Sequence, residues 1–120
     1  MKYTVEGFDQ QTMVEMGLNG NHAYILRWFI DFLGTNKMLS VKNIAGEEYK
    51  WVKYQAIIDD LPIIRIKNRE VVSRYLNDLV KAGLLEKYVK KDKKGTFTCY
   101  RPGNKYSLLI ENRVKVSQDS

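Results

Sequence analysis

Arg69, Ser73, Arg74 and Asn77 recur at intervals of one, three and four residues, the spacing at which side chains gather on one side of a helix. Arginine pairs bidentately with guanine and asparagine with adenine, so these four are candidate base readers. Glu70 could accept from cytosine, but in the first turn of the same helix it suits the dipole, and that reading takes precedence. Lys67 and Lys81 extend the set toward phosphates. Downstream, Lys90, Lys91, Lys93 and Lys94 crowd around Asp92 just before Gly95, a charge cluster fitted to a phosphate backbone or a minor groove. Contacts of that kind position a protein without reading sequence.

No residue set points to catalysis or to a cofactor. His22 is isolated at a helix start, and Cys99 has no histidine near it in sequence to activate a thiol. Asp59 and Asp60 precede Pro62 and read as a helix end. Gly17 and Gly20 lack the Gly-Lys-Ser/Thr ending of a phosphate loop. One His and one Cys leave no Cys/His zinc site within one chain, and a lone cysteine forms no internal disulfide, which fits a reducing cytoplasm. No apolar run approaches the ~18 residues of a membrane span and no signal-peptide pattern opens the chain. The expectation is a non-enzymatic, cytoplasmic protein with no metal and no membrane partner.

The charge is concentrated where the candidate readers lie. Between Arg65 and Arg101 there are eleven basic and four acidic residues, a net of +7, against +6 for all 120 residues. Such a cationic stretch is an electrostatic footprint for nucleic acid; its plainer reading is a lysine-rich solvated hairpin. A hydrophobic fraction of 44% is enough for one domain with a modest core.

Seven elements position these residues. Met1 to Gly7 reads as a loose lead-in, and Asp9 as the cap of a short helix over Gln10–Met16 that Gly17 stops. Asn21 can cap a strongly apolar helix over His22–Leu33, suited to a buried centre. Leu39, Val41 and Ile44, a turn at Ala45–Glu48, then Tyr49 and Trp51, alternate like a β-hairpin whose Tyr49–Trp51 face packs onto the helices. Tyr54, Ile57, Ile58 and Leu61 form a helical stripe that Pro62 closes, with Ile63, Ile64 and Ile66 tucked against the core. Asn68 caps a second helix whose Val72, Leu76, Leu79 and Gly83 share a narrow sector, and Gly83–Leu84 ends it. Leu85 to Arg101 then forms two strands about the lysine tip, with Tyr88, Phe97 and Tyr100 read as packing residues. After Pro102, residues 105–110 close the domain as a helix or strand.

Helix, turn, helix and charged hairpin are the parts of a winged helix. The predicted fold is therefore α+β: a winged helix-turn-helix over residues 1–110, with a β-hairpin inserted before the helix pair and a basic hairpin wing after it. Residues 111–120 read as a polar tail or the start of a linker. Gly17-Leu18, Trp28-Phe29-Ile30-Asp31-Phe32, Tyr49-Lys50-Trp51-Val52, Asp60-Leu61-Pro62-Ile63-Ile64, Ser73-Arg74-Tyr75-Leu76, Gly83-Leu84-Leu85 and Tyr100-Arg101 resemble the winged-helix domains near the front of phage and plasmid replication-initiation proteins of low-GC Gram-positive bacteria. That resemblance implies double-stranded DNA as partner, together with replication proteins. Two other functions keep the fold: a small transcriptional regulator, dimeric through Met13, Val14 and Met16, and a winged helix used only for protein association.

Overall fold

A computed structural model describes residues 2–110. The chain opens with a two-stranded hairpin, β1 (Thr4–Val5) and β2 (Phe8–Asp9), where the sequence suggests a loose lead-in. Glu6 and Gly7 between them take φ of 52° and 80°, the positive pair of a primed hairpin turn. Gly7 meets that demand without steric cost, and Phe8 is thereby delivered, fully buried, to the core.

Asp9 caps α1 (Gln10–Glu15), its carboxylate accepting from the Thr12 amide at 2.9 Å. Beyond it runs α2 (Gly20–Leu33), capped by Asn19 and not by Asn21. The His22 ring completes a reciprocal capping box by accepting from the Asn19 amide at 3.0 Å, while the Asn21 amide nitrogen donates instead to the Ile64 carbonyl at 3.1 Å. Ala23, Ile25, Leu26, Trp28 and Phe29 bury one broad side of α2.

Strands β3 (Ser40–Lys42) and β4 (Glu48–Trp51) follow, then α3 (Tyr54–Asp60), a 3-10 turn over Pro62–Ile64, and α4 (Arg69–Lys81). Within the turn Ile64 is buried but Ile63 is 63% exposed, so only part of that apolar run is tucked inward. Gly83 and Leu84 close α4 with amide bonds to the carbonyls of Val80 and Leu79, the paired bonds of a Schellman stop. Long strands β5 (Leu85–Asp92) and β6 (Gly95–Pro102) form the last hairpin. Residues 106–110 are helical and bury Leu109.

The fold is α+β, with two antiparallel sheets, the larger ordered β3-β4-β6-β5. Strand β6 pairs with β4 as well as with β5, matching Trp51 to Cys99 and Lys50 to Tyr100. One face of this sheet sends Tyr100 into the main core beside Phe29, where its hydroxyl meets that of Tyr54 at 2.8 Å. The other face gathers Val41, Tyr49 and Cys99 into a separate small cluster under Trp51, Tyr88 and Phe97. Tyr49 and Trp51 do share a strand face; Tyr49 is buried in this small cluster away from the main core, while Trp51 also borders Trp28 and Phe32 of α2. Alternation fixes which residues go together; the partner strand β6 decides which side they occupy. Among the described residues no helix is long and apolar enough to cross a membrane. The tail assigned to 111–120 lies outside the described residues.

Candidate nucleic-acid interface

Helix α4 carries the candidate readers. Asn68 caps it by accepting from the Glu70 amide at 2.7 Å, and Val72, Leu76 and Leu79 anchor its inner side with no exposed surface. That anchoring turns Arg69, Arg74 and Lys81 fully outward, while Ser73 and Asn77 are half-buried on one flank. The flank faces the hairpin: Lys87 of β5 donates from Nζ to Asn77 Oδ1 at 3.1 Å. On the opposite flank Asp78 meets the buried His22 of α2, Oδ2 to Nε2 at 2.9 Å, and the His22 ring lies 4.5 Å from that of Tyr75.

Arg74, Asn77 and Lys81 line one shallow depression together with Tyr75 and Asp78. The candidates do not all meet there. Arg69 and Lys81 stand at opposite ends of α4, about 18 Å apart at 1.5 Å per residue, and Lys67 precedes the helix altogether. Lys81 also borders a second depression, beside Met16 and Leu18.

The hairpin lysines are also divided, and by strand alternation. Lys87 pairs with Tyr100 and Lys91 with Thr96, so these two share the sheet face that packs on the helices. Lys90 pairs with Phe97, points from the opposite face, and lies 3.9 Å from Asp92. Lys93 and Lys94 form the two-residue tip, where Asp92 accepts from the Lys94 amide at 2.8 Å. One patch of four lysines, as the sequence suggests, is thus divided: Lys91 on the α4 side, Lys90 on the outer face, and Lys93 and Lys94 in the turn between the strands. Lys87 belongs to the α4 side, although its place in the sequence does not single it out from the other basic residues. Counting in steps of two from buried Leu85 is the signal that finds it.

Other polar groups pair within the fold. At the root of the sheet Arg101 bridges Glu86 and Glu47, with Nη2 2.6 Å from the former and 2.5 Å from the latter, and its guanidinium lies over Tyr49, 4.8 Å from the ring centroid. The Glu86 and Glu47 carboxylates raise the arginine further above its ordinary range. Glu47 is held below the usual carboxylate value, first by the Asn43 amide and then by Arg101. Burial pushes the Cys99 thiol up, away from the thiolate a nucleophile requires. Burial, followed by the Tyr54 hydroxyl, pushes Tyr100 up as well. Among the described residues no three His, Cys, Asp or Glu converge on a common point. The expected dimer face is also reduced: Met13 is buried, Met16 packs against the core, and of the three only Val14 is exposed.

Comparison with protein families, with curated proteins and with solved structures returns no match.

Proposed function

We propose that this chain is a winged helix-turn-helix that binds double-stranded DNA without catalysing a reaction, in replication initiation of the phage or plasmid type. In this reading α3 and α4 are the helix pair, α4 enters the major groove, and β5–β6 is the wing. The observation that carries it is the contact between Asn77 and Lys87, which joins one flank of α4 to the root of the basic hairpin. Arg69, Ser73, Arg74 and Asn77 would face base edges. Lys67, Lys81, Lys87, Lys91, Lys93 and Lys94 would neutralise phosphates, with Lys90 set apart on the other sheet face. The setting in replication rests on the resemblance of the chain's motifs to initiator domains. A dimeric regulator is less favoured, because Met13 lies in the core and is withdrawn from the surface it would need.

The test is titration of duplex DNA across a range of salt. Six lysines at phosphates predict a slope of log affinity against log salt of about −5. Indifference to DNA, or affinity insensitive to salt, would overturn the reading in favour of protein association.

A further inference from the structure

Among the described residues, the outer face of the large sheet carries its own small aromatic cluster, separate from the core beneath the helices. Trp51 and Phe97 stand there edge to face, centroids 5.0 Å apart at 80°, and Tyr49 and Tyr88 pack at 5.4 Å beside them. Trp51 also belongs to an open cavity of ≈ 240 Å³ at the end of the sheet, where Trp28 and Phe32 of α2 form another wall. The Trp28 indole nitrogen donates to Asp60 at 2.7 Å, which fixes the ring and removes its polar atom from competition. Two charged residues line the cavity, Lys37 and Lys53, both exposed, and the Lys53 ammonium lies 4.9 Å from the Trp51 ring centroid. No carboxylate lines it. From the cavity the aromatic track continues through Phe97 to Lys90, the hairpin lysine that faces away from α4.

We propose that this cavity and track hold an unpaired DNA strand. Aromatic faces beside lysines are the elements of single-strand binding: bases stack on rings while ammonium groups follow the backbone, and duplex bases, already stacked on one another, are not available to do so. The cavity is smaller than the ~300–1,000 Å³ typical of small-molecule sites and suits one base. Its lining shares no residue with the α4 surface, so duplex and single strand would occupy separate faces of one domain. The choice of DNA over RNA rests on the duplex reading above; the site itself does not.

The chain's two tryptophans, Trp28 and Trp51, both line this cavity, so intrinsic fluorescence reports on it directly. Oligothymidylate added to the full chain is expected to quench that emission, whereas a duplex bound through α4 leaves it unchanged. Trp51→Leu or Phe97→Ala should weaken oligothymidylate binding about tenfold or more and leave duplex affinity intact. Because those changes touch the small cluster, the exposed pair Lys37→Ala with Lys53→Ala provides a second arm that spares the packing. Oligouridylate in parallel separates DNA from RNA: stronger binding of the ribose strand overturns the DNA assignment. Absence of quenching, or single-strand binding that only Lys91→Ala and Lys94→Ala diminish, overturns the site. Loss of duplex binding with quenching retained would instead refute the proposed function and leave this inference standing.

Discussion

Lys87 donates to the side-chain oxygen of Asn77 at 3.1 Å, across the angle between the hairpin root and α4. On the proposed reading Asn77 would take adenine with that oxygen as acceptor and the amide nitrogen as donor, the oxygen's second lone pair serving the base while Lys87 holds the first. On the same reading the Lys87 ammonium would stand beside the groove wall. Lys87→Ala is expected to weaken duplex binding for every sequence alike and to lower the salt slope by about one. Anisotropy titrations at several salt concentrations check this; an unchanged slope would mean that Lys87 serves only to hold Asn77.

On the proposed reading Arg74 and the hairpin lysines would separate reading from anchoring. Arg74 is exposed at the middle of α4's outer side, so Arg74→Ala should cost about 1–3 kcal/mol on the preferred duplex and flatten preference among sequences. Lys91→Ala with Lys94→Ala should lower affinity uniformly and reduce the slope by about two. Competition between a selected duplex and random duplex measures both, and identical behaviour of the two variants would remove the distinction.

Local signals made much of this arrangement legible. Asp9 and Asn68 cap where their side chains predict, Pro62 follows the last turn of α3, and Gly83 stops α4, because each effect is confined to one helical turn. Asn19 and Asn21 flank Gly20 equally in sequence. The choice between them depends on His22 closing the box and on the Ile64 carbonyl 43 residues away claiming Asn21. The side taken by Tyr49 and Trp51 depends likewise on β6 arriving beside β4. The division of the hairpin lysines was readable but needed Leu85 as the inward reference. The aromatic cavity was not, since its walls come from α2, the segment before β3, β4 and the start of α3.

His22 ties the start of α2 to the outer flank of α4. The Asn19 amide pointing at Nδ1 requires Nε2 to carry the proton given to Asp78, and the ring is only 5% exposed. His22→Ala removes the box, the contact with Tyr75 and the bond to Asp78, and should cost about 2–3 kcal/mol in urea unfolding. Asp78→Asn keeps an acceptor for the same proton and should cost less than half as much. Equal losses in the two variants would mean that packing alone explains the position.

Acid should loosen the root of the large sheet. Glu47 is depressed in the folded chain by Asn43 and Arg101, so its contribution is complete above the ordinary glutamate value of about 4.3. It is lost as pH falls through the lower, folded value. Glu47→Gln should therefore unfold at lower urea than the parent near pH 7, with the gap closing toward about pH 3. The effect is small because the group is solvent-exposed, and a gap that stayed constant with pH would assign it to packing.

Gly103 lies close against the backbone of Gly83 and Leu85. A methyl group there would meet the Gly83 carbonyl oxygen at 2.2 Å and its carbon at 2.8 Å, both backbone atoms that cannot rotate away. The same segment is held by the Gly103 amide bonding to the Leu84 carbonyl at 2.9 Å, so relief would have to come from shifting the end of α4 or the start of β5. Gly103→Ala should destabilise by about 3 kcal/mol, the upper end of overpacking costs. Gly20, in the first turn of α2, has nothing within 4 Å of the position a methyl group would take; Gly20→Ala should stabilise by about 0.4–1 kcal/mol through the unfolded chain. Thermal or urea midpoints of the two variants should therefore move in opposite directions. A Gly103→Ala protein as stable as the parent would show that the junction of α4 and β5 yields where close packing says it cannot.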